Sequence, residues 1–236
     1  EPDVIYSEIE YDKVYYIIGD WQPLNEKLYN DFIDYLNSIN TKIGYFYTNN
    51  GPMYPITDCQ KEVVKNLFLP NKILTDEIKK TMDNLGLIDK QFNCIHIRCG
   101  DRFLLFNNID YKLFTQMAKT MNSKIVTGNK YLILSDCAEF KRLLKEKFPD
   151  LIIWMNDLIH LGEIDEIKTS NDKEYCGVKD TLIDFFMMSK SNYIHGITVY
   201  GHGTGFSEYC SKLFDIGYDC EIIPDAKVHK TRDCAL

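Results

Sequence analysis

Two kinds of apolar run alternate along this chain. Short runs rich in β-branched and aromatic residues end at glycine, proline, asparagine or aspartate. Longer stretches repeat their apolar positions at helical spacing. Val14–Ile18 (VYYII) is a run of the first kind, closed by Gly19, and Lys42–Tyr47 is another. Between them Asn25–Ile39 sets Leu28, Phe32, Tyr35, Leu36 and Ile39 on one helical face. Two further helices are predicted at Gln60–Phe68 and Asp76–Leu85, separated by Pro70, with Thr75 as the cap of the second. From Asn93 the order becomes strand, helix, strand, helix, strand. Cys94, Ile95 and Ile97 suit a buried strand, and Tyr111–Met121 a helix. Tyr131–Leu134, Ala138–Phe148 (stopped by Pro149) and Leu151–Met155 follow as strand, helix and strand. Such alternation predicts an α/β fold with a parallel sheet and right-handed crossovers. Asp157–Tyr175 is polar with little periodicity and reads as a loop. Then come a helix at Lys179–Ser189, a strand at Asn192–Tyr200, a helix at Glu208–Ile216 ended by Gly217, and a last strand at Glu221–Ile223.

With 236 residues, 45% hydrophobic and 26% charged, the chain can bury a sizeable core. Its net charge of −8 argues against nucleic acid as a partner, since phosphate backbones need a basic face. One local basic pocket for a nucleotide remains compatible with that charge. No run approaches the ~18 apolar residues of a membrane span. Eight cysteines occur without a C-x-x-C pair, and there is no N-x-S/T sequon. Free thiols in a reducing compartment, and so a cytoplasmic location, are expected. Disulfides in the lumen of the endoplasmic reticulum or Golgi are the alternative. The five histidines show no H-x-x-x-H or H-E-x-x-H spacing, so no metal site is expected.

The candidate chemistry begins where the strand starting at Asn93 breaks. Arg98 is followed by Cys99, by Gly100, which supplies a tight turn, and by Asp101. A guanidinium at the carboxyl end of a core strand sits where open α/β sheets bind ligands, and arginine matches diphosphate geometry with two parallel charged hydrogen bonds. A structural Arg98–Asp101 ion pair is the competing reading. Asp136, at the end of the next strand, reads as a cap for the helix after it. Asp184 lies in a greasy run (LIDFFMM), where a carboxylate must be paired or bonded to a ligand. Gly201–Ser207 is a glycine-rich turn opening a helix, a place where main-chain amides approach an anion closely.

These stretches carry a resemblance. HIRCGD, from His96 to Asp101, resembles the H-x-R-R-G-D motif of the fucosyltransferase superfamily of GT-B fold, which includes the α1,2-, α1,6- and protein O-fucosyltransferases. Cys99 stands where many members have a second arginine. GDWQ at Gly19–Gln22 and YLILSD at Tyr131–Asp136 are similar to further strings of that family. Asp184 and Ser189 match its D-x-x-x-[LM]-S spacing, and Thr204, Gly205, Phe206 and Ser207 its S-[ST]-F-S segment. The resemblance implies that Arg98 holds the donor diphosphate and that His96 lies near the nucleobase. It implies that Asp184 accepts from guanine N1–H and N2–H, and that Thr204–Ser207 bind the β-phosphate. Asp101 is a candidate base, or else holds the loop. A GT-B-like protein is therefore expected, with a shortened acceptor-side part at 1–90 and a Rossmann-like nucleotide-sugar-binding domain at 91–236. Its expected activity is inverting, metal-independent transfer of a sugar, foremost fucose from GDP-fucose, to a glycan or protein hydroxyl, with no cofactor. The alternatives are another donor (a UDP-pentose such as UDP-xylose, or GDP-mannose) and a nucleotide-sugar or glycan-binding module without catalysis.

Overall fold

The computed structural model describes residues 13–16, 44–47, 57–100, 110–156, 171–201 and 203–223. The chain divides into two compact units, Glu1–Thr57 and Asp58–Leu236. In the first unit β1 (Lys13–Tyr16) and β2 (Gly44–Tyr47) pair in parallel, Lys13 opposite Gly44. The predicted helix Asn25–Ile39 lies outside the described residues.

The second unit opens with α1 (Asp58–Leu67) and α2 (Lys72–Asn84). These two helices, expected ahead of a boundary at 90/91, belong to the same unit as the large sheet. β3 (Asn93–Arg98), α3 (Tyr111–Lys124), β4 (Tyr131–Ser135), α4 (Ala138–Lys147) and β5 (Ile152–Ile153) follow. α5 (Asn171–Met188), β6 (Tyr193–Thr198), α6 (Gly205–Phe214) and β7 (Gly217–Ile222) complete it. The five strands β3–β7 form one wholly parallel sheet in the order β5-β4-β3-β6-β7. This is a Rossmann-like α/β arrangement with its first strand in the centre.

Period-two alternation along the strands divides the core between two faces. Ile95, Ile97, Ile133, Ile153 and Ile197 pack with Leu113, Met117 and Met121 of α3 and with Phe140 and Leu144 of α4. Cys94, Leu132, Leu134 and Ile194 pack with Ile78 and Met82 of α2, Ile183 and Met187 of α5, and Cys210 of α6. Each large apolar side chain taken fully out of water contributes roughly 1.5–3 kcal/mol. The connection after β3 therefore rises to one face of the sheet and the connection after β6 to the other.

Several element ends differ from expectation for identifiable reasons. α2 starts one turn early because Asn71, not Thr75, is its cap: Asn71 Oδ1 accepts from the Leu74 amide at 2.9 Å. The Thr75 hydroxyl instead donates back to the Asn71 carbonyl, at 2.9 Å. Residues 171–175, expected as part of a loop, belong to α5; this polar stretch has adequate helix propensity but no apolar period to mark it. α6 starts at Gly205 and ends with Asp215 in the left-handed region (φ 54°), a conformation aspartate tolerates. Gly217 then opens β7 and does not close the helix. β7 itself is an edge strand with a mostly polar sequence, which carries little apolar signal. Among the described residues no helix is long and apolar enough to cross a membrane.

Candidate functional site

Because all five strands are parallel, their carboxyl ends and the amino ends of α3, α4 and α6 lie along one edge of the sheet. Neighbouring strands β3 and β6 send their connections to opposite faces, which opens a crevice at their carboxyl ends. Ligands of open α/β sheets bind at such a switch point. Arg98 is the last residue of β3 and sits opposite Thr198, the last residue of β6. The sequence thus brings its motif arginine to a switch point of this sheet.

Arg98 is half-buried, and its Nε is buried without a hydrogen-bond partner. Its guanidinium carbon lies 5.4 Å from the centre of the Tyr200 ring, a cation–π contact that orients the head group. Tyr200 also covers the turn after β3. Gly100 has φ 64°, and a Cβ there would fall 1.9 Å from the Tyr200 hydroxyl oxygen. The left-handed backbone and the close approach each require glycine. Asp101, the candidate base, lies outside the described residues.

Asp136 does not cap α4. Its two carboxylate oxygens accept from the amides of Cys99 (2.7 Å) and Gly100 (2.9 Å), while Cys137 occupies the cap position of α4 with no side-chain cap bond. Two free amides in a tight turn one strand away offer the carboxylate better charged hydrogen bonds than its own helix does. Asp136 thereby fixes the turn that follows Arg98.

On the β6 side, Gly203 (φ 78°) lets the chain turn into α6, its amide donating to the Tyr200 carbonyl at 3.0 Å. Thr204 and Ser207 are fully buried, and their hydroxyls bond to each other. Thr204 Oγ1 also meets the Tyr218 hydroxyl at 2.9 Å, and Ser207 Oγ meets His96 Nδ1 at 3.2 Å. Room for this chain comes from Gly196, the cross-strand partner of His96, where a Cβ would sit 2.9 Å from both Thr204 Oγ1 and Tyr218 Oη. The hydroxyls are thus engaged inside the fold. What the start of α6 offers outward is its first-turn amides, with no side-chain cap from Thr204. Gly205 is half-buried, and a Cβ at that position would meet nothing within 4 Å, so the helix start borders open space. Phe206 packs its ring 5.5 Å from that of His96 and 5.3 Å from that of Phe185. Burial, and then the neighbouring Arg98 charge, push the His96 pKa down to about 3, so its imidazole is neutral at physiological pH.

Asp184 is buried, as its apolar neighbours predict, but its surroundings are not legible in the sequence. Lys141 of α4, also fully buried, donates to the main-chain carbonyl of Asn156 at 2.8 Å and to its side-chain oxygen. Burial raises the Asp184 pKa to about 8, against the opposing pull of Lys141 and Asn156. Asp184 Oδ1 and Asn156 Nδ2 have no well-formed hydrogen bond. The structure gathers His96, Ser207, Thr204 and Phe206 directly, with Arg98 beside them. Asp184 connects to that group through its neighbour Phe185. A lysine at helical spacing reads as an exposed residue, which is why Lys141 gives no signal; Tyr200, Tyr218 and Gly196 need the strand register to be seen.

Two cavities lie away from this edge. One, of about 320 Å³, is at the amino ends of the strands beside Asn93, Lys130 and Asn192. The other, of about 590 Å³, is an apolar groove lined by Phe68, Ile78, Met82, Phe186 and Phe214. Neither includes Arg98, Asp184 or the Thr204–Ser207 turn. Among the described residues no three His, Cys, Asp or Glu side chains gather as a metal site. No family model matches the chain, and no curated protein matches it significantly in sequence.

Proposed function

We propose that the chain is a GT-B-like glycosyltransferase of fucosyltransferase type, which transfers a sugar from a guanosine diphosphate donor to a glycan or protein hydroxyl. The observation that carries this reading is Arg98, with an unpartnered buried Nε, at the end of β3 opposite Thr198, the last residue of the strand that leads into α6. A diphosphate leaving group there would meet a guanidinium and the positive end of a helix dipole together. Preorganised positive charge at a departing diphosphate supplies a large share of the rate, and it does so without requiring a metal ion. The sugar most consistent with the motif is fucose, transferred with inversion. In this reading Asp184, protonated through burial in the free protein, gives up its proton as it accepts from the guanine edge, Phe206 and His96 form the apolar wall beside it, and Asp136 holds the Cys99–Gly100 turn. Asp101 serves as base, unless the transition state is loose enough to need none.

Calorimetric titration of the protein with GDP and with UDP tests the donor, followed by turnover of GDP-fucose in the presence of chelator. GDP should bind more tightly than UDP, and turnover should survive chelation. Equal affinity for the two nucleotides would remove the guanine assignment. GDP binding without turnover on any glycan or peptide acceptor would favour the non-catalytic binding module.

A further inference from the structure

The motif turn carries a second piece of chemistry, in sulfur. Ile97 of β3 lies opposite Ser135 of β4, so continuing the parallel register by two residues sets Cys99 opposite Cys137. Paired strands run about 4.8 Å apart. That spacing falls inside the roughly 4.4–6.8 Å range of Cα separations that a disulfide spans. The two turns are held in place by Asp136, which takes the amides of both Cys99 and Gly100. One hydroxyl marks their closeness: Ser135 Oγ lies 3.5 Å from Cys99 Sγ and accepts from the Cys137 amide at 3.3 Å. Both side chains belong to the same core cluster, 0% and 2% exposed.

The pair is also chemically uneven, as an attacking and a resolving thiol should be. Cys137 stands at the start of α4. The adjoining Cys99 thiol, and after it the nearby main-chain amides of Phe140 and Glu139, draw its pKa below the ordinary thiol value against the effect of burial. Burial holds the Cys99 thiol well above that value. A second buried pair, Cys94 and Cys210, has both thiols pushed up by burial and so lacks this asymmetry.

We propose that Cys99 and Cys137 form a redox-active dithiol that closes to an intramolecular disulfide by exchange with a small disulfide such as oxidised glutathione. The Cys137 thiolate attacks one sulfur of the small disulfide, whose S–S bond breaks. The departing thiolate takes up a proton, leaving a mixed disulfide on Cys137. Cys99 then loses its proton and attacks the Cys137 sulfur, releasing the second small thiol. In total two protein thiols are oxidised and one small disulfide is reduced to two thiols. The new bond would staple β3 to β4 immediately beyond Arg98. Because both thiols are buried, the exchange proceeds through opening of the strand ends, and the mixed disulfide resolves before it accumulates. This inference rests on the register of β3 and β4 and holds whatever ligand the crevice binds.

The test incubates the whole chain with oxidised glutathione over a range of ratios, traps free thiols by alkylation and maps the peptides. A cross-linked peptide pair containing Cys99 and Cys137 is expected, with the loss of two hydrogens, reversal by dithiothreitol and a raised melting temperature in the oxidised form. Cys137→Ser and, independently, Cys99→Ala should each abolish the cross-link. Cys59→Ser should leave it intact, because Cys59 is exposed and remote in sequence. Cys99 and Cys137 remaining fully alkylatable at every ratio, or pairing with other cysteines, would overturn the proposal.

Discussion

From the middle of β3 through the start of α6 to β7, four neutral groups form a hydrogen-bonded chain: His96, Ser207, Thr204 and Tyr218. Between α4, the residues after β5 and α5, Lys141, Asn156 and Asp184 form a buried cluster of one ammonium, one amide and a carboxyl group that burial keeps protonated up to about pH 8. The first chain satisfies itself and leaves a charged donor over, the Nε of Arg98. The second holds a single buried cation, Lys141, among polar groups and leaves over a carboxyl oxygen and an amide nitrogen. A neutral network can rearrange around a lost member, whereas a buried charge deprived of its partner must neutralise or be desolvated alone. The first region is thus built to tolerate a passing ligand, and the second to resist any change. If so, removing the donor left over, Arg98, should act on binding and turnover, removing one hydroxyl of the neutral chain should cost little, and removing the buried cation Lys141 should act on stability.

Arg98→Ala gives the largest expected effect. Turnover of the donor should fall on the order of 10²–10³-fold, with the melting temperature nearly unchanged. Arg98→Lys should be almost as damaging, since a point charge does not reproduce two parallel hydrogen bonds. Kinetics and melting on the same variant check this. A destabilised protein with unchanged nucleotide affinity would make Arg98 a structural residue and erase the contrast between the two regions.

Lys141→Met should do the reverse. It strips two acceptors on Asn156 of their donor and leaves Asp184 without its nearby cation. A loss of about 3 kcal/mol is expected from chemical denaturation at pH 8. Adding Asp184→Asn to that variant should recover part of it, because no carboxylate then remains to be left alone. A cost no larger than that of an exposed lysine would show that the cluster is wetter than its burial indicates.

How much of this is readable from the sequence depends on range. The central strand, the alternation that makes the sheet parallel, and the position of Arg98 at a strand end follow from local apolar period and from Gly100. The burial of Asp184 follows from its neighbours Ile183, Phe185 and Phe186. Asp136 is misassigned because the local rule for a carboxylate before a helix points to its own amides, while the turn on β3 competes only once the strands pair. Lys141 is invisible for a related reason: on an amphipathic helix a lysine belongs outside, and only Asn156, fifteen residues on, gives it a place inside. The same limit hides Gly196, whose missing side chain matters only because Thr204 and Tyr218 meet over it.

The two regions should also titrate in opposite senses. Folded Asp184 keeps its proton up to about pH 8, whereas the unfolded chain releases it near the ordinary value of 3.8. Between those limits the folded state binds more protons, so this contribution is complete below pH 3.8 and is lost as pH rises to about 8. His96 works the other way. The unfolded chain takes up a proton below 6.5 while the folded imidazole stays neutral down to about 3, so stability is lost as pH falls through that window. The two oppose each other between about pH 4 and 6.5, and only Asp184 acts from 6.5 to 8. Asp184→Asn should therefore flatten the decline of stability between about pH 6.5 and 8 seen in denaturant titrations, and leave the acid limb in place. An unchanged decline would assign it to other groups.

The smallest effect expected is that of Tyr218→Phe, and it probes the tolerance of the neutral chain most directly. Tyr218 is half-buried, and its hydroxyl meets Thr204 Oγ1 at 2.9 Å. Burial pushes its pKa up, so the group is a neutral phenol at any pH of interest and its removal changes no charge. The aromatic ring stays and no cavity larger than one oxygen opens. Thr204 Oγ1 keeps Ser207 as a partner, and Ser207 keeps both His96 and the Thr204 carbonyl, the latter at 3.2 Å. The loss is therefore that of one neutral hydrogen bond with the remaining members still satisfied, about 1 kcal/mol. Thr204→Val should cost more, since it takes a partner from Tyr218 and from Ser207 at once. Equilibrium unfolding of both variants measures the ratio, and nucleotide titration of Tyr218→Phe should give the parent affinity. A cost for Tyr218→Phe as large as that of Lys141→Met would mean that the hydroxyl chain is as rigid as the charged cluster, and that tolerance does not distinguish the site.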